Sequence, residues 1–234
     1  MTDRRGCGLH EREVPLTVDD SQRRSRNRRL ALGAAVLVIA AVRVWYCTRV
    51  PVNTADLLRS IHQSLYMLRD GLGVAGVPLD EGLSGIGWAR LPYSYPPLVL
   101  PFFGVVAALS PTLFAAKLAL TLVEAVNAFL VARITSSRWL GVLYWASPAS
   151  IWWVSGEGQF EPLMAVFMFA AVALLRERPL VAMALLACGV NVKVTAILLL
   201  PWCLLVVERE RRPLLLQAGA SFAAALLIPL AFAG

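Results

Sequence analysis

Long apolar blocks, separated by short charged segments, dominate the chain after residue 29. The first block, 30–48, closes on Trp45 and Tyr46, aromatic residues suited to a membrane–water interface. Six more blocks follow, at 95–110, 112–133, 139–155, 160–175, 179–207 and 213–233. Because about 20 apolar residues cross the hydrocarbon of a bilayer, the pattern predicts an all-α fold, a polytopic transmembrane bundle with about seven membrane segments.

Two polar regions flank the first block. Residues 1–29 contain eight arginines and almost no large apolar residue, which predicts a disordered basic tail before a transmembrane module, 30–234. The second region, 49–93, is too long for a simple connector. Within it, residues 55–69 have the pattern of an amphipathic helix lying on the membrane surface. The predicted apolar face carries Leu58, Ile61, Leu65 and Leu68, opposite Arg59, His62, Gln63 and Arg69.

Arginine clusters between the later blocks decide the predicted topology. They are Arg133/Arg138, Arg176/Arg178 and Arg209/Arg211/Arg212. With a cytoplasmic N-terminus, all three would lie outside if 95–110 crossed the membrane, against the positive-inside rule. Four prolines in and beside 95–110 favour a short, non-crossing or re-entrant helix there. A break around Val190–Val194 within 179–207 also keeps the clusters inside. We therefore predict a multi-pass plasma-membrane protein with 49–93 on the extracytoplasmic side.

Composition agrees with a membrane protein and excludes several other classes. The chain is 58% hydrophobic and 16% charged, with mean hydropathy +0.66. Its net charge of +7 comes from arginines beside apolar blocks, which act as topology signals and contacts for membrane lipids, so we predict no nucleic-acid partner. The four cysteines lack metal-ligand spacing and are expected to be small buried side chains. No nucleotide-binding or hydrolase motif is present, and we predict neither a metal nor a cofactor.

Charged residues inside apolar blocks are the strongest candidates for function. Lys193 interrupts 179–207, and such a residue usually faces a cavity or an anionic partner, here a phosphate. A snorkelling lysine or a structural ion pair is the alternative. Lys117, Thr121 and Glu124 share one face of 112–133, and mid-helix Glu124 should face the bundle. Glu124 either binds neighbouring helices together or takes part in the chemistry.

Acidic residues also lie where the chain leaves the membrane. Asp56 starts the amphipathic helix just after the first block, where an acid is also favoured by the helix N-terminus alone. The turn 155–162 (SGEGQFEP) puts Glu157, Gln159 and Glu161 between two apolar blocks. A polar turn is expected there in any case, so either set of residues can be structural.

These features in this order resemble the GT-C superfamily of membrane glycosyltransferases, and most closely glycosyltransferase family 87 and the mannosyltransferase-like group. The resemblance covers roughly residues 30–207. Its motifs are an acid after the first span (Asp56), the amphipathic helix, YSYPPL (93–98), a span with Lys117 and Glu124, SPASI (147–151) leading into GEGQFE (156–161), and NVKVTAILLLP (191–201).

The resemblance implies a hexosyltransferase that uses a polyprenyl-phosphate sugar, mannose-like, as donor. Its active site would face away from the cytoplasm, with a lipid or glycan as acceptor and inversion at the anomeric carbon. Asp56 is implied as the catalytic base and Lys193 as the residue that binds the departing phosphate. Substrate-binding roles are implied for Gln159, Glu161, Glu157, Tyr95, Lys117 and Glu124.

Two alternatives remain open at this point. A transporter or flippase would use the intramembrane Lys117, Glu124 and Lys193 to line a pathway, although no internal repeat is visible. Relatives in the family are usually longer, and this chain ends at Gly234 within an apolar stretch. An inactive truncated fragment or membrane scaffold is therefore the second alternative.

Overall fold

The computed structural model describes residues 18–51, 55–70, 96 and 98–231, and over these residues the fold is all-helical with no strand. The first four helices are α1 (Val18–Arg49), α2 (Ala55–Asp70), α3 (Val99–Leu109) and α4 (Leu113–Ile134). The short helices α5 (Arg138–Trp145) and α6 (Pro148–Ser150) lead into a π-helical segment, Ile151–Gly156. The remaining helices are α7 (Glu161–Leu174), α8 (Pro179–Val190), a 3₁₀ segment (Val194–Leu199), α9 (Leu200–Arg211), a 3₁₀ turn (Arg212–Leu214) and α10 (Leu215–Ala231).

Two of these helices are long and apolar enough to cross a bilayer. They are the part of α1 from Gln22 to Arg49 and the whole of α4, judged by length and composition. The other apolar helices of the described chain are shorter, and α3, α7 and α8 have 11, 14 and 12 residues. The all-helical class is confirmed, whereas the count of about seven membrane segments is not.

The first helix begins earlier than the sequence pattern predicts. Residues 18–29 are helical and continuous with the apolar block, although they belong to the segment predicted as a disordered tail. No proline or glycine interrupts the chain between Val18 and Leu32, and arginine is a good helix former, so the helix extends through the basic residues. Residues 1–17 lie outside the described part.

The amphipathic segment is the helix α2, but its buried face matches the predicted one only in part. Ile61 is buried as predicted. Gln63, predicted on the polar side, is fully buried, and Leu65, predicted on the apolar side, is exposed. Helix α2 packs against α3, and its small residues Ser60 and Ser64 are buried there. The Ser64 hydroxyl donates to the Ser60 carbonyl at 2.6 Å, so this face is polar in composition without leaving that hydroxyl unpaired.

Two predicted blocks are interrupted. Block 179–207 breaks after Val190, as predicted, and continues through the 3₁₀ segment into α9. Block 139–155 was expected to be continuous, but α5 ends at Trp145 and a new helix starts at Pro148. The reason is local, since a proline disfavours helical geometry in the residue before it and is tolerated in a first helical turn.

The bundle has two ends. We call the end where α4 and α7 begin the site end, and the end where α4 and α7 finish the arginine end. At the site end, the Nζ atom of Lys117 donates to the carbonyl of Val50 at 2.6 Å, so the start of α4 meets the end of α1. At the arginine end, Arg133 and Arg176 line one cavity of about 890 Å³, and Arg176 pairs with Glu210 of α9 at 3.2 Å. The arginine clusters therefore share one end of the bundle, and the membrane orientation stays a prediction.

Helix α3 stays at the site end. Its 11 residues make it about 16 Å long, against about 30 Å of hydrocarbon. The amide of Leu98 donates to the Asn191 carbonyl at 3.1 Å, at the site end of α8, and Thr112 then caps the start of α4. Both ends of α3 thus adjoin the same end of the bundle.

Two apolar clusters hold the helices together. One joins α7, α8, α9 and α10 around Met183 and Leu186, both fully buried. The other joins α2, α3, α4 and the start of α7 around Phe103, Leu120 and Phe160. Because Met164 packs against both clusters, α7 links the two halves and carries the turn that precedes it into the centre of the site end.

Candidate functional site

The centre of the site end is the turn 156–161, called the site turn below. It follows the π-helical segment, and three of its amides bond back to that segment. Glu157, Gly158 and Gln159 donate to the carbonyls of Trp152, Val154 and Trp153 at 2.9, 3.1 and 2.9 Å, respectively. Gly158 has φ +76°, in the left-handed region that glycine adopts without strain. A wide π turn followed by a positive-φ glycine is an irregular backbone of the kind found at functional sites.

Lys193 and Glu161 form an ion pair beside this turn. Lys193 lies between α8 and the 3₁₀ segment, and its Nζ atom is 2.5 Å from Oε1 of Glu161, the first residue of α7. The side chains are 32% and 41% exposed, so water and ligands can reach both. The second carboxylate oxygen of Glu161 is buried and accepts no hydrogen bond within the described part of the chain.

A cavity of about 530 Å³ opens next to the ion pair. Gln159 and Glu161 line it near the site turn, and Glu124, Tyr144 and Ser150 line it deeper in the bundle. Its remaining walls are mostly apolar and include Trp153, Val154, Pro162, Met164 and Ala165. A mostly apolar cavity with a few converging polar groups is the usual form of a small-molecule site.

Lys117 packs against the site turn, of which Glu157 is a part. Both side chains are buried, and they interact electrostatically. The Lys117 ammonium also donates to the Val50 carbonyl, and its Cγ would lie 3.5 Å from a Cβ added at Gly158. The structure therefore brings Lys117 and Glu157 to the same place as Gln159, Glu161 and Lys193.

Glu124 belongs to a buried network that the sequence did not predict. Its Oε1 accepts from the Ser150 hydroxyl, and its Oε2 accepts from Asn127 Nδ2 at 3.0 Å and from the Tyr144 hydroxyl at 3.2 Å. Ser150 Oγ in turn accepts from Arg43 Nη2 at 2.8 Å. The expectation that Glu124 faces the bundle is confirmed, and it has three protein donors there.

Arg43 is the residue that sequence reasoning missed. Its side chain is fully buried, and it donates to Ser155 Oγ at 3.0 Å and to the Trp145 carbonyl at 2.5 and 3.1 Å, besides Ser150. Its guanidinium carbon also lies 5.5 Å from the centre of the Trp145 ring. The available signal is an arginine near the end of an apolar block, which the sequence pattern alone does not distinguish from a topology signal.

The two other predicted site residues are described in part or not at all. Asp56 lies in the first turn of α2, and its side chain is outside the described atoms. Its neighbour Leu57 is fully buried, and a Cβ added at Gly158 would overlap Leu57 Cδ2. The backbone of α2 therefore begins against the site turn. Tyr95 lies outside the described residues.

The described residues hold no cluster of side chains suited to a metal ion, and their cysteines are free thiols. No three His, Cys, Asp or Glu side chains come together over residues 18–51, 55–70 and 98–231. Cys47 and Cys203 are buried free thiols, and Cys188 is half-buried. The expectation that the cysteines are small buried side chains is confirmed for Cys47 and Cys203.

The fold and the site define a helical protein with a polar, cavity-lined site at one end of an apolar bundle. A model of glycosyltransferase family 87 matches residues 93–234, more than half of the chain, so the chain belongs to this membrane-associated family. No curated protein and no solved structure matches the chain. The family resemblance of the sequence is confirmed, and the chain is an enzyme of the glycosyltransferase class, which decides against the transporter alternative.

The matched range contains α3 to α10, and with them Lys117, Glu124, the site turn and Lys193. Helices α1 and α2 precede it. Arg43 and Asp56 therefore stand outside the family match, and their roles must be argued from the structure and from physical chemistry.

Proposed function

We propose that this glycosyltransferase transfers a hexose, mannose-like, from a polyprenyl-phosphate donor to a lipid or glycan acceptor on the extracytoplasmic side of the membrane. The reaction is a single displacement at the anomeric carbon and inverts its configuration. The donor and acceptor are its partners, together with the surrounding membrane lipids.

The packing of α2 on the site turn carries this proposal. Leu57, the residue after Asp56, is fully buried where a side chain at Gly158 would have to lie. The first turn of α2 therefore packs against the site turn, whose last residue, Glu161, pairs with Lys193 and lines the cavity. A displacement with an anionic leaving group requires a carboxylate that accepts a proton and a cation that stabilises the leaving group, and we assign these roles to Asp56 and Lys193.

In the proposed mechanism Asp56 is the general base. Its carboxylate accepts the proton of the acceptor hydroxyl as the oxygen forms a bond to the anomeric carbon. The bond from that carbon to the phosphate oxygen breaks, and polyprenyl phosphate leaves with the electron pair. Lys193 stabilises the negative charge that develops on the departing phosphate, an interaction that is strongest when little water surrounds the pair.

The other predicted residues bind the substrates. Gln159 and Glu161 line the cavity, where an amide and a carboxylate can hydrogen-bond to sugar hydroxyls. Lys117 packs against the site turn and interacts with Glu157 within it, so these two buried residues shape the substrate-binding site. Tyr95 is proposed as a further substrate contact from the YSYPPL segment. The phosphate has to compete with Glu161 for Lys193, because the two side chains are paired at 2.5 Å.

The proposed orientation has the arginine end in the cytoplasm and the site end outside, with about seven membrane segments in all. The separation of the arginine clusters from the site turn supports this orientation through the positive-inside rule. A polyprenyl donor is dissolved in the bilayer, so its phosphate would reach Lys193 from the membrane while the acceptor approaches from outside.

The test is Asp56→Asn, measured as transfer of labelled sugar from a polyprenyl-phosphate sugar in membranes containing equal amounts of each protein. Asparagine keeps the shape and removes the base, so we expect a fall in transfer of about 10²- to 10⁴-fold. The matched control is Asp70→Asn, at the other end of the same helix, with unchanged transfer. Full transfer by Asp56→Asn would remove this residue from the mechanism.

A further inference from the structure

A fully buried arginine in the first helix has no role in the proposed reaction. Arg43 is one of the largest side chains with no exposure in the described chain, and a buried cation is costly unless its donors are satisfied. Its charge is balanced through Ser150, whose hydroxyl oxygen accepts from Arg43 and whose hydroxyl donates to Glu124. The group is therefore a donor–acceptor chain that ties α1 to α4.

Arg43 holds the chain that leads into the site turn at three points. Its guanidinium donates to the Trp145 carbonyl at the end of α5, to Ser150 of α6 and to Ser155 of the π-helical segment. The Trp145 carbonyl is one of the groups that a helix end leaves without an internal partner. A planar guanidinium, with donors on several edges, can satisfy all three acceptors at once.

Glu124 extends the contact to the chain that leaves the site turn. Asn127 Nδ2 donates both to Glu124 Oε2 and to the carbonyl of Pro162, each at 3.0 Å. Pro162 immediately follows Glu161, which carries the partner of Lys193. The network thus contacts both flanks of the 156–161 turn, one through Arg43 and the other through Glu124.

The amides of Glu157, Gly158 and Gln159 in the turn between these flanks bond back to the π-helical segment. The position of the turn therefore depends on how that segment is held, and Ser155 of the segment is one of the Arg43 contacts. We call Arg43, Ser150, Ser155, Glu124 and Asn127 the polar clamp.

We propose that the polar clamp is a positioning device that fixes the backbone of the site turn, and with it Gln159 and Glu161, for sugar transfer. The catalytic part of this proposal rests on the proposed function. The structural part, that the clamp immobilises the turn, does not. Arg43 and Glu124 are positioning residues here, because they act through the turn.

Hydrogen exchange by mass spectrometry tests the structural part. The readout is the exchange of the amides of Glu157, Gly158 and Gln159 in protein reconstituted into nanodiscs. The variant is the double substitution Arg43→Met with Glu124→Gln, which removes both charges together and leaves neither one unpaired. We expect these amides to exchange at least about tenfold faster, because the π-segment bonds open more often once the flanks are released.

Arg43→Lys is the second variant. It keeps the positive charge but loses the planar guanidinium with its several donors. One ammonium cannot bond to Trp145, Ser150 and Ser155 together, so we again expect faster exchange of the turn amides. Arg176→Lys is the matched control, since Arg176 pairs with Glu210 at the arginine end, and it should leave the turn unchanged. Unchanged exchange in Arg43→Lys, or in the double variant if it folds, overturns the proposal.

Kinetics test the catalytic part. In the double variant we expect kcat to fall about 100-fold with little change in KM for the donor. A misplaced turn disturbs the alignment of the reacting groups more than it weakens donor binding. Retention of the unmodified kcat overturns the positioning role. If the unmodified protein transfers no sugar while exchange responds as expected, the proposed function fails and the structural role of the clamp stands.

Discussion

Two charged clusters within the same bundle differ in their access to solvent. Lys193 and Glu161 pair at the site end with side chains 32% and 41% exposed. Arg43 and Glu124, joined through Ser150, are 0% and 3% exposed. The first pair can exchange one partner for a ligand at little cost, since exposed ion pairs contribute about 0–1 kcal/mol. The second cannot, because losing one partner leaves a buried charge.

This difference in exposure separates residues that can bind a ligand from residues that position the backbone. A ligand phosphate can replace Glu161 at Lys193, because both side chains are partly exposed to solvent. Glu124 has three donors from the protein, which leaves little reason for it to bind a substrate even though it lines the same cavity. The following predictions test this contrast, from the largest expected effect to the smallest.

Arg43→Met should have the largest effect on folding. It leaves the Glu124 carboxylate buried without the charge that balances it, which we expect to cost about 3–5 kcal/mol of unfolding free energy. The measurement is the yield of monodisperse protein and its thermal unfolding in detergent. Normal yield and an unchanged midpoint would mean that the buried network does not support the fold.

Lys193→Met should leave folding intact and affect transfer instead. The side chain is partly exposed and its only charged contact in the described chain is Glu161, so we expect the unfolding midpoint to stay within about 2 °C. Transfer of sugar should fall about 100- to 1,000-fold through loss of charge stabilisation on the leaving phosphate. Lys193→Arg, which keeps the charge, is the control with partial activity. A stable variant with full transfer would contradict the role of Lys193.

Gly158→Ala tests the backbone between the two clusters. The new Cβ would overlap Leu57 and would sit at φ +76°, so we expect a loss of about 1–3 kcal/mol and lower transfer. Gly219→Ala in α10 is the control, because a Cβ there meets no atom within 4 Å. Thermal unfolding of both variants measures the difference, and equal midpoints would show that the site turn tolerates the change.

Glu161→Gln should have the smallest effect, and it should strengthen donor binding rather than weaken the enzyme. Removing the carboxylate frees Lys193 for the donor phosphate, and breaking a partly exposed pair of this kind changes affinity by at most about fivefold. We expect KM for the donor to fall with the midpoint of unfolding unchanged. The glutamine amide can still hydrogen-bond to sugar hydroxyls, so a rise in KM would mean that the donor needs the carboxylate of Glu161 more than it gains from a free Lys193.

Much of this arrangement could be predicted from residue order alone. Proline within the apolar blocks predicted the short helix α3, and Gly189, Asn191 and Lys193 predicted the break after α8. The burial of Glu124 was predicted from its mid-helix position. Each of these depends on local chemistry, namely a missing amide, a flexible residue or a charge at membrane depth, and local chemistry is readable in sequence.

The buried face of α2 and the role of Arg43 could not be predicted in this way. The pattern of α2 put Leu65 on the apolar face and Gln63 on the polar face, yet Gln63 is buried and Leu65 is exposed, because the packing of α2 against α3 decides which face is covered. The position of Arg43 inside an apolar block sets it apart, but its role could not be predicted, because the acceptors that satisfy it are more than 100 residues away along the chain.

The sequence by itself determined the helical class, the family, the positions of most helix breaks and the residue types of the site. Periodicity, proline and isolated charges carry that information locally. Only the tertiary structure decided which charges are paired with one another and which face solvent, so it separated Lys193 and Glu161 from Arg43 and Glu124. The physical reason is that burial and charge pairing depend on distances between helices far apart in sequence.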